Sequence, residues 1–114
     1  MVPLMTGGKT PWTPAEATQR INRCAKSDEL QLSWSVHAKE RMRERGIIVS
    51  DILYLLKHGF VYEQAEPSTR EGLFKYQVEG TTPNSNRRAL RVVVIPDSRA
   101  VQMKLVTIMW RDER

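Results

Sequence analysis

The hydrophobic pattern of the chain changes its period at Gly59, and this change limits the folds open to it. Before Gly59 the apolar residues recur at helical spacing, and after it apolar and polar residues alternate as in half-buried strands. A chain of 114 residues is long enough to bury one core. The pattern predicts a single α+β domain, in which three N-terminal helices pack on one face of a four-stranded, mostly antiparallel sheet.

Residues with capping side chains mark where each predicted helix begins. Thr13, Ser35 and Ser50 each precede a run of helical periodicity, and a Ser or Thr oxygen can accept a hydrogen bond from a free N–H of the first turn. Gly46 and Gly59 follow the second and third runs, where glycine commonly ends a helix. The three helices are therefore predicted over about 14–28, 36–45 and 50–58.

The alternating part of the chain predicts four strands, separated by turn residues. They cover about 60–66, 73–79, 89–95 and 101–110. Residues 30–34 also alternate, and they are either a short strand or an extended link. Residues 1–12 contain two prolines and two glycines, so we expect a flexible tail before a domain that spans 13–114.

The charge and the rare residues restrict the class of partner. The formal net charge is +5, which favours a polyanion or an acidic protein as partner. No apolar run is long enough to cross a bilayer and no signal-peptide pattern is present, so we expect a cytoplasmic protein without a membrane partner. With one cysteine and two histidines, we expect no disulfide, no metal site and no cofactor.

The densest polar feature lies in the second predicted helix. His37, Arg41 and Arg45 are four residues apart, so they line one side of that helix. There the two arginines could hold a phosphate through forked hydrogen bonds, and His37 could transfer a proton near neutral pH. The alternative is a solvated helix face with weak ion pairs, for which Arg41 and Glu44 are correctly spaced.

A second basic surface is predicted on the sheet face that points away from the helices. Lys75 and Gln77 alternate with inward apolar residues, and Arg91 does the same on the next strand. In the last strand one alternation adds Lys104 and the other adds Thr107, and the sequence leaves this register open. Such a face could bind single-stranded RNA, or its cations could simply protect strand edges. Further charges lie at strand ends, at Arg87, Arg88 and Arg111.

The run from Ser35 to Ile47, with its motif HA-x-x-R-M-x-x-R-G-I, resembles the signature of the family known as domain of unknown function 4258. The later segments follow the order of that family, so the resemblance covers about residues 33–110. The family is similar in layout to the RelE and BrnT ribonuclease toxins. The resemblance therefore implies metal-independent RNA cleavage, with RNA as substrate and a cognate antitoxin as possible partner.

The same resemblance implies roles for individual residues. His37 would act as acid or base, and Arg41, Lys75 and Arg91 would stabilise charge at the scissile phosphate. The residues expected to bind RNA are Arg45, Gln77, Arg88, Lys104, Thr107 and Arg111. Tyr76 could serve as well, but its alternation places it inward. The competing interpretation is a non-catalytic nucleic-acid- or protein-binding module of the same fold.

Overall fold

The computed structural model describes residues 10–70, 72–97 and 101–113. In these ranges it contains three helices, α1 (Pro14–Ala25), α2 (Val36–Arg45) and α3 (Val49–His58). The strands are β1 (Gln31–Trp34), β2 (Phe60–Val61), β3 (Glu66–Pro67), β4 (Phe74–Gly80), β5 (Leu90–Asp97) and β6 (Gln102–Trp110). None of these helices is long and apolar enough to cross a bilayer.

Two of the predicted helix starts are confirmed by their capping hydrogen bonds. The Thr13 side chain accepts from the Glu16 N–H at 3.2 Å, and the Ser35 side chain accepts from the Ala38 N–H at 2.9 Å. Gly46 ends α2 in the left-handed conformation, with φ of 65°, as its position predicts. Local sequence therefore sets these boundaries.

The predicted cap of the third helix is wrong. This helix begins at Val49 rather than after Ser50. The residue that satisfies its first turn is Asp51, whose Oδ2 accepts from the Ile48 N–H at 3.2 Å. Asp51 is buried, and its other oxygen accepts from the Thr82 hydroxyl at 2.9 Å, so a tertiary contact decides where the helix starts.

The sheet has six strands instead of the predicted four, and it is mixed. Its order is β1-β6-β5-β4-β2, with β3 also paired to β4. The strand predicted over 60–66 is divided into β2 and β3, which pair with β4 at two different places. The segment left open at residues 30–34 is a strand, and β1 pairs with β6 in parallel while the other pairs are antiparallel.

The helices cover one face of this sheet, as the α+β pattern predicts. α1 packs on α3, and α2 packs on β6. Alternate strand residues enter the same core, among them Val78, Val92 and Leu105, all at most 1% exposed. Residues of the opposite parity lie on the other side of the sheet, which we call the outer face.

A β-bulge in β6 resolves the register that the sequence left open. Val93 pairs with Thr107, but the next residue, Val94, pairs with Leu105, so Val106 is the extra residue. Both Lys104 and Thr107 consequently lie on the outer face, although simple alternation would exclude one of them. The Ser35 hydroxyl donates to the Val106 carbonyl at 2.7 Å, which ties the bulge to the start of α2.

The N-terminal segment is only partly described. Residues 1–9 of the predicted tail lie outside the described ranges. Trp12 stacks on Tyr76 with ring centroids 5.4 Å apart. The backbone N–H of Trp12 donates to the Tyr76 hydroxyl at 2.9 Å. Burial raises the pKa of this inward tyrosine.

Candidate nucleic-acid interface

The outer face collects six of the residues predicted from the sequence. On β4, Lys75 and Gln77 alternate with the buried residues Tyr76 and Val78. Because Gln77 pairs with Val93 and Val93 pairs with Thr107, these three form a row across the middle of the face. The predicted residues on the outer face are Lys75, Gln77, Arg91, Lys104, Thr107 and, just beyond β6, Arg111.

A buried carboxylate organises the guanidinium groups of this face. Glu79 lies opposite Arg91 on the neighbouring strand, and its side chain is only 8% exposed. Its Oε2 accepts from Arg91 Nε at 3.0 Å, and its Oε1 forms an ion pair with Arg111 Nε at 3.2 Å. One carboxylate therefore orients two arginines, and the group of three keeps a net charge of +1.

Two aromatic rings extend the outer face at its β2 edge. Phe60 pairs directly with Glu79 across the strands, so its ring lies on the same side of the sheet. The Phe60 and Tyr62 rings are 6.2 Å apart, and these residues are 54% and 64% exposed. Exposed rings beside ordered guanidinium groups provide stacking surfaces next to positive charge, the combination that binds single-stranded nucleic acid.

The α2 row, defined as His37, Arg41, Glu44 and Arg45, lies on the helix as the spacing predicts. Arg41 Nε donates to His37 Nε2 at 3.3 Å. The Arg41 Nη1 also donates to Glu44 Oε1 at 3.0 Å. The ion pair offered as the alternative for this helix is thus present, while His37 remains exposed.

Arg45 is held more firmly than the rest of the α2 row. Its Nε donates to Glu113 Oε1 at 2.6 Å, its Nη2 donates to Glu113 Oε2, and its Nη1 donates to Glu44. The hydrogen bonds from Arg45 lower the pKa of Glu113 from 4.5 to about 2, and the same contact raises the pKa of Arg45. Two carboxylates therefore already occupy the guanidinium that was predicted to bind RNA.

Arg88 is occupied in a similar way. Its guanidinium donates to both oxygens of Asp112, with the shortest contact at 2.9 Å, and lowers the pKa of that carboxyl. The Arg88 guanidinium also lies 4.5 Å above the Trp110 ring. The backbone N–H of Trp110 donates to Glu113. Asp112 and the Trp110 ring therefore already occupy the guanidinium of Arg88.

The structure does not bring the four predicted catalytic residues into one site. Lys75 and Arg91 project from the outer face, on the side of the sheet opposite the core. His37 and Arg41 lie on α2, which contributes Ala38 to that core and packs on β6. The predicted residues form two separate groups, one on each side of the sheet.

The chemistry available to the two groups differs. The outer face offers a carboxylate, two guanidinium groups and exposed rings, whereas the α2 row offers an imidazole and a guanidinium. Among the described residues, no three His, Cys, Asp or Glu side chains are grouped so that they could hold a metal ion.

Comparison with known proteins supports the resemblance of the motif. The model of the family described as Domain of unknown function (DUF4258) matches residues 34–110, which is more than half of the chain. The chain belongs to the DUF4258 family. No curated protein and no solved structure matches it. The DUF4258 region includes the α2 row and nearly all of the outer face, but it excludes α1 and Arg111.

Sequence reasoning missed Glu79, Phe60 and Tyr62. Glu79 has the same outward parity in β4 as Lys75 and Gln77, but nothing in the sequence showed that two arginines would meet it. Phe60 and Tyr62 alternate with the buried Val61, and this is the one signal that could have placed them on the outer face. In the DUF4258 region of this chain, these three residues complete the surface that the basic residues began.

Proposed function

We propose that this protein is a metal-independent endoribonuclease of the toxin type that binds single-stranded RNA on its outer face. The observation that carries the proposal is the buried carboxylate of Glu79 between Arg91 and Arg111, beside the exposed Phe60 and Tyr62 rings. RNA cleavage needs a base for the 2′-hydroxyl and cations around the phosphate, and both are present within this one group.

In this proposal the two arginines hold the scissile phosphate and a base stacks on Phe60. Each Glu79 oxygen has a second lone pair beyond the one its arginine uses, so the carboxylate can take the 2′-hydroxyl proton. The 2′-oxygen then attacks phosphorus, and the P–O5′ bond breaks. The leaving 5′-oxygen takes a proton from water, which has access because this face is open. The products are a 2′,3′-cyclic phosphate and a 5′-hydroxyl.

His37 and Arg41 form the second candidate for the acid–base site. The two side chains are hydrogen-bonded and His37 is exposed, so its imidazole is accessible to RNA as a general base. Because this pair lies on the other side of the sheet, it and Glu79 are alternatives for one reaction, and single substitutions distinguish them.

The experiment is incubation of the purified protein with an unstructured RNA in excess chelator. We expect cyclic-phosphate ends, and we expect Glu79→Gln to lower the rate by about 100-fold or more. Asp112→Asn is the matched control, since it removes an arginine-paired carboxylate outside the outer face. Loss of cleavage in His37→Ala but not in Glu79→Gln would move the site to the α2 row. Salt-sensitive RNA binding without any cleavage would support the non-catalytic module instead.

The toxin assignment includes a protein partner. We propose that expression of the chain inhibits growth and that a small protein encoded beside it relieves the inhibition. Growth inhibition that persists in Glu79→Gln would separate the toxicity from the proposed chemistry.

A further inference from the structure

An apolar groove lies between α2 and the connection to α3, away from both groups of predicted site residues. Its volume is about 490 Å³, and its apolar lining comes from Trp34, Met42, Ile47, Ile48 and Val49. Ile48 and Val49 are 52% and 48% exposed, which is unusual for aliphatic residues beside a core. Exposure of these apolar side chains to water is unfavourable, so the groove suits an apolar partner.

The cations that border the groove differ from the other cations of α2. Lys39 and Arg43 are one helical turn apart, line the groove and are exposed. In the described part of the chain neither has an ion-pair partner, whereas Arg41 and Arg45, on the other side of the same helix, are both paired to carboxylates. The border of the groove therefore carries uncompensated positive charge and is complementary to acidic residues.

The backbone around the groove indicates which kind of segment fits. The Ile47 N–H donates to the Met42 carbonyl at 3.0 Å, and the Ile48 N–H donates to Asp51. Since these two donors are already used, the groove favours an occupant that satisfies its own backbone hydrogen bonds. A helix does so, whereas an extended segment would need donors and acceptors from the wall.

We infer that this groove binds an acidic amphipathic helix of a partner protein. The apolar side of the helix would lie against Trp34, Met42 and Ile48, and its Glu or Asp residues would pair with Lys39 and Arg43. The site is independent of the outer face, so a bound partner and RNA would not compete for the same residues.

The probe is a synthetic amphipathic peptide of about five helical turns, with Leu along one side and Glu elsewhere. A second peptide has Lys in place of every Glu, and a third has the first peptide's composition in scrambled order. NMR titration of the ¹⁵N-labelled full chain, followed at the Trp34 indole, gives the affinities. We expect the Glu peptide to bind at least about 10-fold more tightly than the other two.

Two exposed residues of the groove give the test variants. Ile48→Ser should lower the affinity for the Glu peptide by about 10-fold. Arg43→Glu should make the affinities for the Glu and Lys peptides equal. RNA binding should be unchanged in both variants. Lys26→Glu, after the end of α1, is the charge-matched control and should bind the Glu peptide like the wild type.

Equal binding of the three peptides, or none at all, would overturn the inference. So would an unchanged peptide preference in Arg43→Glu. If sedimentation shows that the chain self-associates and that Ile48→Ser abolishes this, the groove is filled by a second copy and the inference is also wrong.

Discussion

Glu79 and Arg91 lie directly opposite each other on β4 and β5, with Arg91 Nε 3.0 Å from Glu79 Oε2. The carboxylate is almost fully buried, and the guanidinium side chain is 28% exposed. The partly exposed arginine thus stabilises a largely buried negative charge. The pair has consequences for stability that can be measured apart from any activity.

Replacing Arg91 should destabilise the fold more than replacing Lys75 on the same face. Arg91→Met leaves Glu79 buried with only Arg111, and we expect the free energy of unfolding to fall by about 2 kcal/mol. Lys75→Met removes a weaker contact, 3.9 Å from Glu66, and should cost less than about 0.5 kcal/mol. Urea denaturation measures both values. Equal losses of unfolding free energy would mean that Arg91 does not stabilise the buried Glu79 carboxylate.

The two exposed rings should contribute most of the sequence-independent affinity for RNA. Because stacking on an aromatic ring contributes about 1–3 kcal/mol per base, Phe60→Ala and Tyr62→Ala should each weaken binding of a short unstructured RNA by about 5- to 100-fold. Tyr54→Ala is the control, since Tyr54 is also exposed but lies on α3 beside His58. Fluorescence anisotropy gives the affinities, and an equal effect of Tyr54→Ala would argue against stacking on the outer face.

The salt dependence of RNA binding should report the cations of the outer face. Four of them, Lys75, Arg91, Lys104 and Arg111, predict a slope of log K against log salt of about −3. Lys104→Gln should reduce the magnitude of this slope by about 0.7, because one phosphate contact is lost. Lys57→Gln on α3 should leave the slope unchanged. An unchanged slope in Lys104→Gln would mean that RNA does not bind on the outer face.

Glu113 should make the stability depend on pH in acid. Its pKa is 4.5 in the unfolded chain and about 2 in the folded protein, so its contribution is fully present above about pH 5 and disappears as pH falls towards 2. Glu113→Gln should therefore cost about 1 kcal/mol at pH 7 and progressively less between pH 5 and pH 2. Denaturation at several pH values tests this, and a difference that is constant with pH would contradict the pairing with Arg45.

Gly59 should tolerate no side chain, because α3 and β4 approach each other closely there. A Cβ atom at this position would lie 2.6 Å from the Leu55 carbonyl oxygen and 2.9 Å from that of Glu79. We expect Gly59→Ala to cost about 1–3 kcal/mol. In Gly80→Ala the new Cβ meets the end of the Leu55 side chain at 3.1 Å and the Gly59 Cα at 3.5 Å, so this variant should cost less. Thermal denaturation of the two variants measures the difference.

Local signals accounted for much of the fold. The caps at Thr13 and Ser35, the turn at Gly46 and the inward side of β4 all follow from neighbouring residues, and each is confirmed. The DUF4258 resemblance is also confirmed over residues 34–110. These features could be predicted because the interactions that produce them span only a few residues.

The candidate site was harder to predict because it depends on pairing between distant strands. No local pattern shows that Arg91 and Arg111 meet Glu79, or that a bulge at Val106 leaves both Lys104 and Thr107 outward. A one-residue change of register reverses every assignment after it. For the same reason the helix and sheet residues were assigned to one scissile phosphate, although they lie on two sides of the sheet.

The parallel pairing of β1 with β6 has a consequence for synthesis of the chain. Gln31 pairs with Gln102, so β1 cannot pair until a strand some seventy residues later in the chain has been synthesised. Because β6 lies between β1 and β5, the sheet stays divided until that strand has emerged. A ribosome-bound chain halted before β6 would thus lack Lys104, Thr107 and Arg111 of the surface that we propose for RNA, and its sheet would be incomplete until translation has passed this point.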